Sequence, residues 1–390
     1  MSVQDLALQR NKYKHLSDEE WRWFLQQVEG RERTADKLPT FAAIDDWWYP
    51  VRLSCEQCSS ELTARYKASL VSGERMVDLT GGYGVDTYFM SERFAHTDYV
   101  EQNEELCRIA EHNFNVQSDN VRCTKVSVHN SSAEAFLKTA GTYDLIFIDP
   151  ARRDSHGGKV FRLADCTPNV VELLPTLLAH GKRLMIKLSP MLDLTQAIKN
   201  VQSDDVQGTK VNWDVHIVAI KNEVKELLLV SGGTGQITAI DLAEPEKAFV
   251  YAKEQETNCP LAINPSPFAF IYEPNAAILK AGAYKLVAER FGLHKLDVNT
   301  HLYASDTLVE NFPGRIWRIQ SPITKNEVNR APVAENHQLP ISQANVLTRN
   351  YPLTPEQLKK KYRLKDGGDS YLIGCGVNGK PTLYTAERIN

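Results

Sequence analysis

The segment from residue 75 to residue 231 alternates short apolar runs with helical patterns, and this alternation constrains the fold more than any other feature. Amphipathic segments such as EELCRIAEHNF separate the first five apolar runs, which are RMVDLT, TDYVEQ, VRCTKVSV, YDLIFIDP and KRLMIKLSP. Five successive βα units predict a right-handed, parallel, doubly wound sheet with helices on both faces. The predicted fold class is therefore α/β and Rossmann-like.

Two further apolar runs follow without a helix between them. NWDVHIVAI ends at Ile220 and KELLLVS begins at Lys225, so the turn KNEV alone joins them. This connection is too short for a parallel crossover and predicts a terminal antiparallel hairpin. Five parallel strands with such a hairpin are typical of class I methyltransferases and not of dinucleotide-dependent dehydrogenases.

Length and composition narrow the class of protein. The chain has 390 residues and a mass of 44.0 kDa, which predicts two or three domains. The N-terminus lacks an apolar signal core, and no run reaches the roughly 18 apolar residues of a membrane span. We therefore expect a cytoplasmic protein without a membrane partner. The first seventy residues predict helices, with a capping box at Ser17 and Glu20 and a second helix from about Glu56 to Val71.

A glycine-rich turn follows the first predicted strand, at the usual ligand site of an open α/β sheet. Its candidate ligand-binding residues are Asp78, Thr80, Gly81, Gly82 and Gly84. The turn lacks the third glycine of a dinucleotide fingerprint, because Thr87 occupies that position. It also contains an acid, Asp86, which disfavours a pyrophosphate and tolerates a ligand with an ammonium group. We therefore expect S-adenosyl-L-methionine as the cofactor.

Two later strand ends add candidate cofactor contacts. Glu101 ends the second predicted strand, where a carboxylate can accept two hydrogen bonds from a ribose diol. Asn130 and Ser131 follow the third strand, and with the residues up to Ala133 they are expected to border the adenine.

The fourth strand ends in Asp149-Pro150-Ala151-Arg152-Arg153, which predicts the catalytic edge. Asp149 can accept a proton or hydrogen bond from the attacking group while also bordering the cofactor, and Pro150 stiffens the chain. Amino-methylating enzymes of nucleic acids have a second proline and an aromatic residue where this chain has Ala151 and Arg152. Arg152 can stack on a base, and Arg152 and Arg153 can bind phosphate. Pairing of the two arginines with nearby carboxylates is the alternative.

Lys187 ends the fifth strand at the same edge, either beside the substrate or as a structural ion-pair residue. The cysteines indicate no metal site, because Cys55 and Cys58 form the one Cys-x-x-Cys and zinc needs two further ligands. Cys166 suits a helix entry better than a nucleophile.

The charge distribution is uneven. Residues 329–390 hold nine Lys or Arg and five acids, whereas the whole chain has a net charge of −4. A basic tail on an acidic body favours an anionic polymer as the partner, although a solvated helix face explains the KKKYRLK run equally well. The candidate substrate-binding residues are Arg153, Arg349, Lys359, Lys360, Lys361 and Arg363.

Several segments together resemble a bacterial, Bacteroidetes-type family of S-adenosylmethionine-dependent methyltransferases. They are EQCSS with Tyr66-Lys67, DLTGGYGVDT, IDPARRD, IKLSPMLDL, NEVKELLL, FIYEPNAAILKAGAYK, HLYASD, FPGRIW and ANVLTRNYPLTPEQLKKKYRLKDGGDSYLIG. Members of this family combine the methyltransferase domain with a ferredoxin-like domain and a C-terminal THUMP-like domain. THUMP domains are RNA-binding modules of tRNA-modifying enzymes, so the resemblance implies an RNA methyltransferase, with tRNA favoured over rRNA.

The predicted organisation is a helical region at 1–70, a methyltransferase domain at 71–235, a linker with a ferredoxin-like domain at 236–328 and a THUMP-like domain at 329–390. The last two are expected to be small α+β domains. Two alternatives stay open: a methyltransferase for a protein or small molecule, and a catalytically silent RNA-binding adaptor that keeps the cofactor pocket.

Overall fold

The computed structural model describes residues 3–118, 125–152, 163–201, 211–263, 267–323 and 341–389. The chain divides into two compact units. The first comprises Met1–Val215 and Glu226–Thr234, and the second comprises His216–Lys225 and Gly235–Asn390. In the described part of the chain, no helix is both long and apolar enough to cross a membrane.

Five helices begin the first unit, namely α1 (Val3–Ala7), α2 (Asp18–Thr34), α3 (Pro39–Ala42), α4 (Arg52–Gln57) and α5 (Glu61–Ser69). A 3-10 turn, Arg10–Tyr13, lies between α1 and α2. The predicted capping box is confirmed, because the side chains of Ser17 and Glu20 each accept the other's backbone N–H. The prediction of a single helix from Glu56 to Val71 is wrong. Cys58 is extended, and the Ser60 hydroxyl accepts the N–H of Thr63, which starts α5 as a separate helix.

A sheet flanked by helices follows α5 along the chain. Its strands up to residue 231 are β1 (Gly73–Asp78), β2 (Phe94–Glu101), β3 (Lys125–Asn130), β4 (Tyr143–Ile148), β7 (Gly181–Leu188), β8 (Trp213–Ile220) and β9 (Glu223–Ser231), while β5 (Ala151–Arg152) and β6 (Cys166–Thr167) form a separate short pair. The helices are α6 (Val85–Ser91), α7 (Glu104–Ser118), α8 (Ala133–Leu137), α9 (Val170–His180) and α10 (Leu194–Val201). A 3-10 turn, Leu163–Asp165, precedes β6.

The strands follow the order β3-β2-β1-β4-β7-β9-β8, and the sheet continues beyond β8 with β10 (Gln236–Asp241) and β11 (Phe249–Ala252). The first five are parallel, and β9 is antiparallel to β7, with Leu188 opposite Leu227. The central strands are covered on both faces, and Val77, Ile146 and Ile186 are completely buried. The predicted α/β fold, with an antiparallel hairpin after the parallel strands, is confirmed.

The second unit contains an antiparallel pair, β10 (Gln236–Asp241) and β11 (Phe249–Ala252), and a 3-10 turn at Pro245–Lys247. Its helices are α11 (Lys253–Asn258), α12 (Ala276–Ala281), α13 (Tyr284–Phe291) and α14 (Pro355–Tyr362). A second sheet has the strands β12 (Phe270–Pro274), β13 (His294–Asp297), β14 (Thr300–Ser305), β15 (Gly314–Ile323), β16 (Asn345–Arg349), β17 (Ser370–Val377) and β18 (Lys380–Arg388).

This second sheet is continuous across the boundary predicted between the two small C-terminal domains. Its order is β13-β14-β12-β15-β18-β17-β16. Strand β15 joins the two halves, because Trp317 lies opposite Ile271 of β12 on one side and Arg388 of β18 on the other. The expected α+β character is confirmed, and the strands of both predicted domains form one sheet.

Candidate active site

Most predicted cofactor residues surround one cavity in the first unit. The cavity has a volume of about 330 Å³ and lies at the carboxyl ends of β1, β2, β4 and β7. Open α/β sheets bind ligands at this edge. The predicted site residues that line the cavity are Asp78, Thr80, Gly81, Gly82, Gly84, Glu101, Ser131, Asp149 and Lys187.

Four other predicted site residues are not among the described residues that line the cavity. Asn130 and Pro150 are adjacent to lining residues, and the Asn130 amide donates to the backbone carbonyl of Glu101 at 3.1 Å. Asn130 thus connects the ends of β2 and β3. The backbone of Arg152 belongs to β5, whereas its side chain lies outside the described residues, as does the whole of Arg153.

The glycine-rich turn is shaped by close packing and by its backbone conformation. A Cβ at Gly81 would lie 2.1 Å from the ring of Tyr99, and Gly84 has a φ of 82°, which side chains rarely allow. Glu101 holds the turn from the neighbouring strand, because its Oε2 accepts the N–H of Gly82 at 3.0 Å and its Oε1 accepts the N–H of Asn103 at 2.8 Å. A carboxylate has about four lone-pair sites, so Glu101 retains acceptor capacity toward the cavity.

Asp78 is the buried acid beneath this turn and is 1% exposed. Its Oδ1 accepts the N–H of Thr80 at 2.9 Å, and its Oδ2 accepts the Thr87 hydroxyl at 2.6 Å. Burial is the main cause that raises the pKa of Asp78 to about 7, and these two hydrogen bonds oppose the shift. Thr87, which replaces the third glycine of a dinucleotide fingerprint, therefore binds the acid at the end of β1.

Asp149 and Lys187 form an ion pair at the predicted catalytic edge. The Lys187 ammonium donates to Asp149 Oδ2 at 2.5 Å, and the N–H of Asp149 donates to the Thr80 hydroxyl at 2.7 Å. Burial alone would lower the pKa of Lys187, but the carboxylates of Asp149 and Asp86 raise it well above its ordinary value. The raised pKa favours the ammonium form of Lys187, which is the form that donates to the Asp149 carboxylate.

Asp86, the acid in the turn, lies close to two lysines. It lies 3.2 Å from the ammonium of Lys67 and 3.7 Å from that of Lys187, and its Oδ2 accepts the Ser59 hydroxyl at 2.7 Å. Burial alone would raise the pKa of Asp86, but the two lysines lower it below its ordinary value. The Lys67 ammonium also donates to both carboxylate oxygens of Glu226, at 2.6 and 2.7 Å.

Sequence reasoning missed this buried cluster, which we call the Lys67 cluster and define as Ser59, Lys67, Asp86 and Glu226. It also missed that the N-terminal helical region forms part of the cavity wall, through Ser54, Gln57, Cys58 and Ser59. A signal was present, since EQCSS, Tyr66-Lys67 and NEVKELLL are among the segments that carry the family resemblance.

The cysteines in and near the cavity are thiols that donate to backbone carbonyls. Cys55 Sγ donates to the carbonyl of Pro50 at 3.5 Å and Cys58 Sγ to that of Cys55 at 3.2 Å. Burial raises the pKa of the Cys55 thiol to about 12. Cys166 is buried in β6, and the Asn169 side chain caps α9 three residues later. Among the residues that the structure describes, no group of three or more His, Cys, Asp or Glu side chains could hold a metal ion.

The predicted RNA-binding residues lie in the second unit. Arg349 pairs with Glu273, with its Nε 2.7 Å from Oε1, and Lys359 pairs with Asp366 at 2.7 Å. Arg363 ends α14 in the left-handed conformation, with a φ of 53°. Lys360, Lys361 and Arg363 are exposed.

The second unit of the chain matches two known domain families. A ferredoxin-like domain family matches residues 270–313, and a THUMP domain-like family matches residues 314–388. The crystal structure of a proposed methyltransferase from Porphyromonas gingivalis W83 is similar to the whole chain, with a TM-score of 0.81 and 31% sequence identity. The similarity covers 96% of this chain and 92% of that one. The chain belongs to this methyltransferase family.

A relative from Mycobacterium tuberculosis H37Rv is similar over nearly the same length. It is named as an uncharacterized S-adenosylmethionine-dependent methyltransferase and is 21% identical over 381 residues, which cover 94% of this chain and 96% of the relative. The resemblance inferred from the sequence is thus confirmed: this is a class I, S-adenosylmethionine-dependent methyltransferase with ferredoxin-like and C-terminal THUMP-like segments.

Proposed function

We propose that this methyltransferase transfers the methyl group of S-adenosyl-L-methionine to RNA, with tRNA favoured over rRNA. The observation that carries the proposal is the combination of two features in one chain. The first is a cavity with an acidic, glycine-rich lining at the carboxyl edge of a class I sheet. The second is the match of residues 314–388 to a THUMP domain-like family, whose namesake domains bind RNA.

The residues of the cavity fit the proposed cofactor. Glu101 has acceptor capacity left for a ribose diol, and Ser131 at the end of β3 is suited to border the adenine. The lining contains the carboxyl groups of Asp78, Asp86, Glu101, Glu134 and Asp149 against the ammonium group of Lys187, an acidic balance that suits a ligand with an ammonium and a sulfonium group. When bound, S-adenosylmethionine supplies an electrophilic methyl group.

Asp149 is the proposed proton acceptor and orienting group for the attacking atom. It faces the cavity, is 37% exposed at its side chain, and is held by Lys187 and by the Thr80 hydroxyl. Lys187 keeps its proton, so its role is to fix the Asp149 carboxylate and not to take up a proton. Proper placement of two reactants accounts for much of the rate of such a transfer.

Nucleoside mass spectrometry of total tRNA and rRNA from a deletion strain and the wild type tests the reaction. We expect one methylated nucleoside to disappear from tRNA in the deletion strain and to return when the gene is restored. Loss from rRNA alone would move the substrate to rRNA. An unchanged spectrum would favour the two alternatives, a protein or small-molecule methyltransferase or an RNA-binding adaptor without activity.

RNA binding is tested separately by filter binding at several salt concentrations. Replacing the exposed Lys360 and Lys361 by Gln should weaken tRNA binding and flatten the slope of log affinity against log salt by about 1 to 2, since each phosphate contact contributes roughly 0.7–0.9. Lys359 is a weaker candidate for a phosphate contact than the sequence suggested, because it pairs with Asp366. The matched control replaces two lysines outside the THUMP-like segment, Lys138 and Lys253, by Gln. Equal slopes for both double variants would remove this helix from the proposed RNA surface.

A further inference from the structure

Lys67 is completely buried, and its charge is compensated entirely by other side chains. Its ammonium contacts Glu226 at 2.6 Å, the Ser59 hydroxyl at 3.3 Å and Asp86 at 3.2 Å. Burial of charges is costly, and a buried ion pair often stabilises a fold no better than apolar residues of the same volume. Packing alone therefore does not account for a lysine at this position.

A series of side chains of alternating charge connects Lys67 to Asp149 at the proposed catalytic edge. Asp86 lies between two ammonium groups, with Oδ1 at 3.2 Å from Lys67 and Oδ2 at 3.7 Å from Lys187. Lys187 in turn lies between two carboxylates, because it also contacts Asp149 at 2.5 Å. Asp86 and Asp149 thus compete for Lys187, and the outcome depends on how far Lys67 neutralises Asp86.

We propose that Lys67 is a positioning residue for methyl transfer: by neutralising Asp86, it leaves Lys187 to hold the Asp149 carboxylate in place. This inference rests on the proposed role of Asp149 toward the methyl acceptor. Without the Lys67 ammonium, Asp86 retains one nearby cation, and Lys187 moves from Asp149 toward it. The Asp149 carboxylate then loses its fixed position at the cavity although it remains chemically intact.

Lys67→Met tests this directly. With total RNA from the deletion strain as the methyl acceptor, we expect kcat to fall about 10- to 100-fold, as for a small misplacement of a catalytic group, and the KM for S-adenosylmethionine to change much less. Adding Asp86→Asn should restore most of kcat, because it removes the carboxylate that lies 3.7 Å from the Lys187 ammonium. Adding Glu226→Gln should not restore it, although that double variant removes one buried charge of each sign and keeps the net charge.

A merely structural role for Lys67 makes the reverse prediction. Balancing the buried charge with Glu226→Gln would then recover folding and activity together. If Lys67→Met alone does not fold, the double variant Lys67→Met with Glu226→Gln provides the same test. Recovery of kcat in this double variant would overturn the proposal. Lys182→Met is the matched control, because Lys182 also pairs with an aspartate, Asp144, but at an exposed site.

A spectroscopic measurement makes the result independent of the acceptor. The side-chain ¹⁵N signal of the Lys187 ammonium, assigned by its loss in Lys187→Met, should shift in Lys67→Met and return toward the wild-type position when Asp86→Asn is added. An unmoved signal would overturn the proposal even if RNA is methylated. Absence of methyl transfer by the wild type would instead contradict the RNA function and leave this measurement to decide the role of Lys67.

Discussion

Each unit of the protein buries a carboxylate between two cations, and the two arrangements differ in what the cations do next. In the first unit, Asp86 lies between Lys67 and Lys187, and Lys187 reaches the cavity. In the second unit, Glu273 is 1% exposed and lies between Arg315 and Arg349, which belong to β15 and β16.

The type of cation explains the difference. Arginine presents a planar fork, so Glu273 on β12 can be fixed by guanidinium groups from two other strands of the same sheet. Lysine is a point charge that can be shared between carboxylates, as Lys187 is between Asp86 and Asp149. The two arginines therefore fasten strands together, whereas Lys67 and Lys187 link buried carboxylates to Asp149 in the cavity lining. Substitutions at the two arginines should therefore change the stability of the protein, and substitutions at the two lysines should change the rate of methyl transfer.

The largest expected effect is on turnover. Asp149→Ala should lower kcat about 10²- to 10⁴-fold, the usual contribution of a positioned proton acceptor, while the affinity for S-adenosylmethionine stays within a few-fold. Steady-state kinetics and calorimetric titration measure the two quantities. If affinity falls in proportion to kcat, Asp149 binds the cofactor and does not act on the acceptor.

Glu101→Ala should weaken S-adenosylmethionine binding by about 1–3 kcal/mol, since buried hydroxyl groups lose their acceptor and Gly82 loses its hydrogen bond. The matched control is Glu111→Ala, an exposed glutamate on the neighbouring helix α7. Calorimetric titration of both variants measures the difference. Equal affinities for the two would show that Glu101 is not the ribose ligand.

Arg349→Ala tests whether the arginines around Glu273 stabilise the fold. The free energy of unfolding should fall by about 1–3 kcal/mol, less than for a fully buried pair, because Arg349 is 39% exposed and Arg315 remains beside Glu273. Chemical denaturation measures this, with the exposed Arg318→Ala as control. Unchanged stability together with weakened tRNA binding would assign Arg349 to the RNA surface, as the sequence predicted.

The smallest expected effect is a pH dependence from Asp78. Because its pKa of about 7 in the folded protein lies above the ordinary value of 3.8, the ligand-free protein should lose stability as pH rises from 4 toward 7. A cationic ligand favours the ionised carboxylate, so affinity for S-adenosylmethionine should rise by up to about tenfold between pH 6 and pH 8. Calorimetry at both pH values measures it. The rise should be absent in Asp78→Asn, and its persistence there would assign it to another group.

The sequence by itself determined the βα units of the first sheet and the edge at which its parallel strands end. Alternating apolar runs encode strands and helices locally, and parallel strands bring their carboxyl ends to the same edge. Glu101, Asp149 and Lys187 could therefore be assigned to one cavity from their positions at strand ends, and the structure places all three in its lining. The closing hairpin followed in the same way from the short turn between its strands.

Tertiary structure alone decided which charges meet and which strands join. Lys67 and Glu226 are 159 positions apart, and local periodicity does not encode a contact over that distance along the chain. Likewise, the place of β15 between β12 and β18 follows from pairing with residues about 45 and 70 positions away. Short-range pattern fixes the conformation of a segment, whereas its partners depend on the burial and pairing of the whole chain.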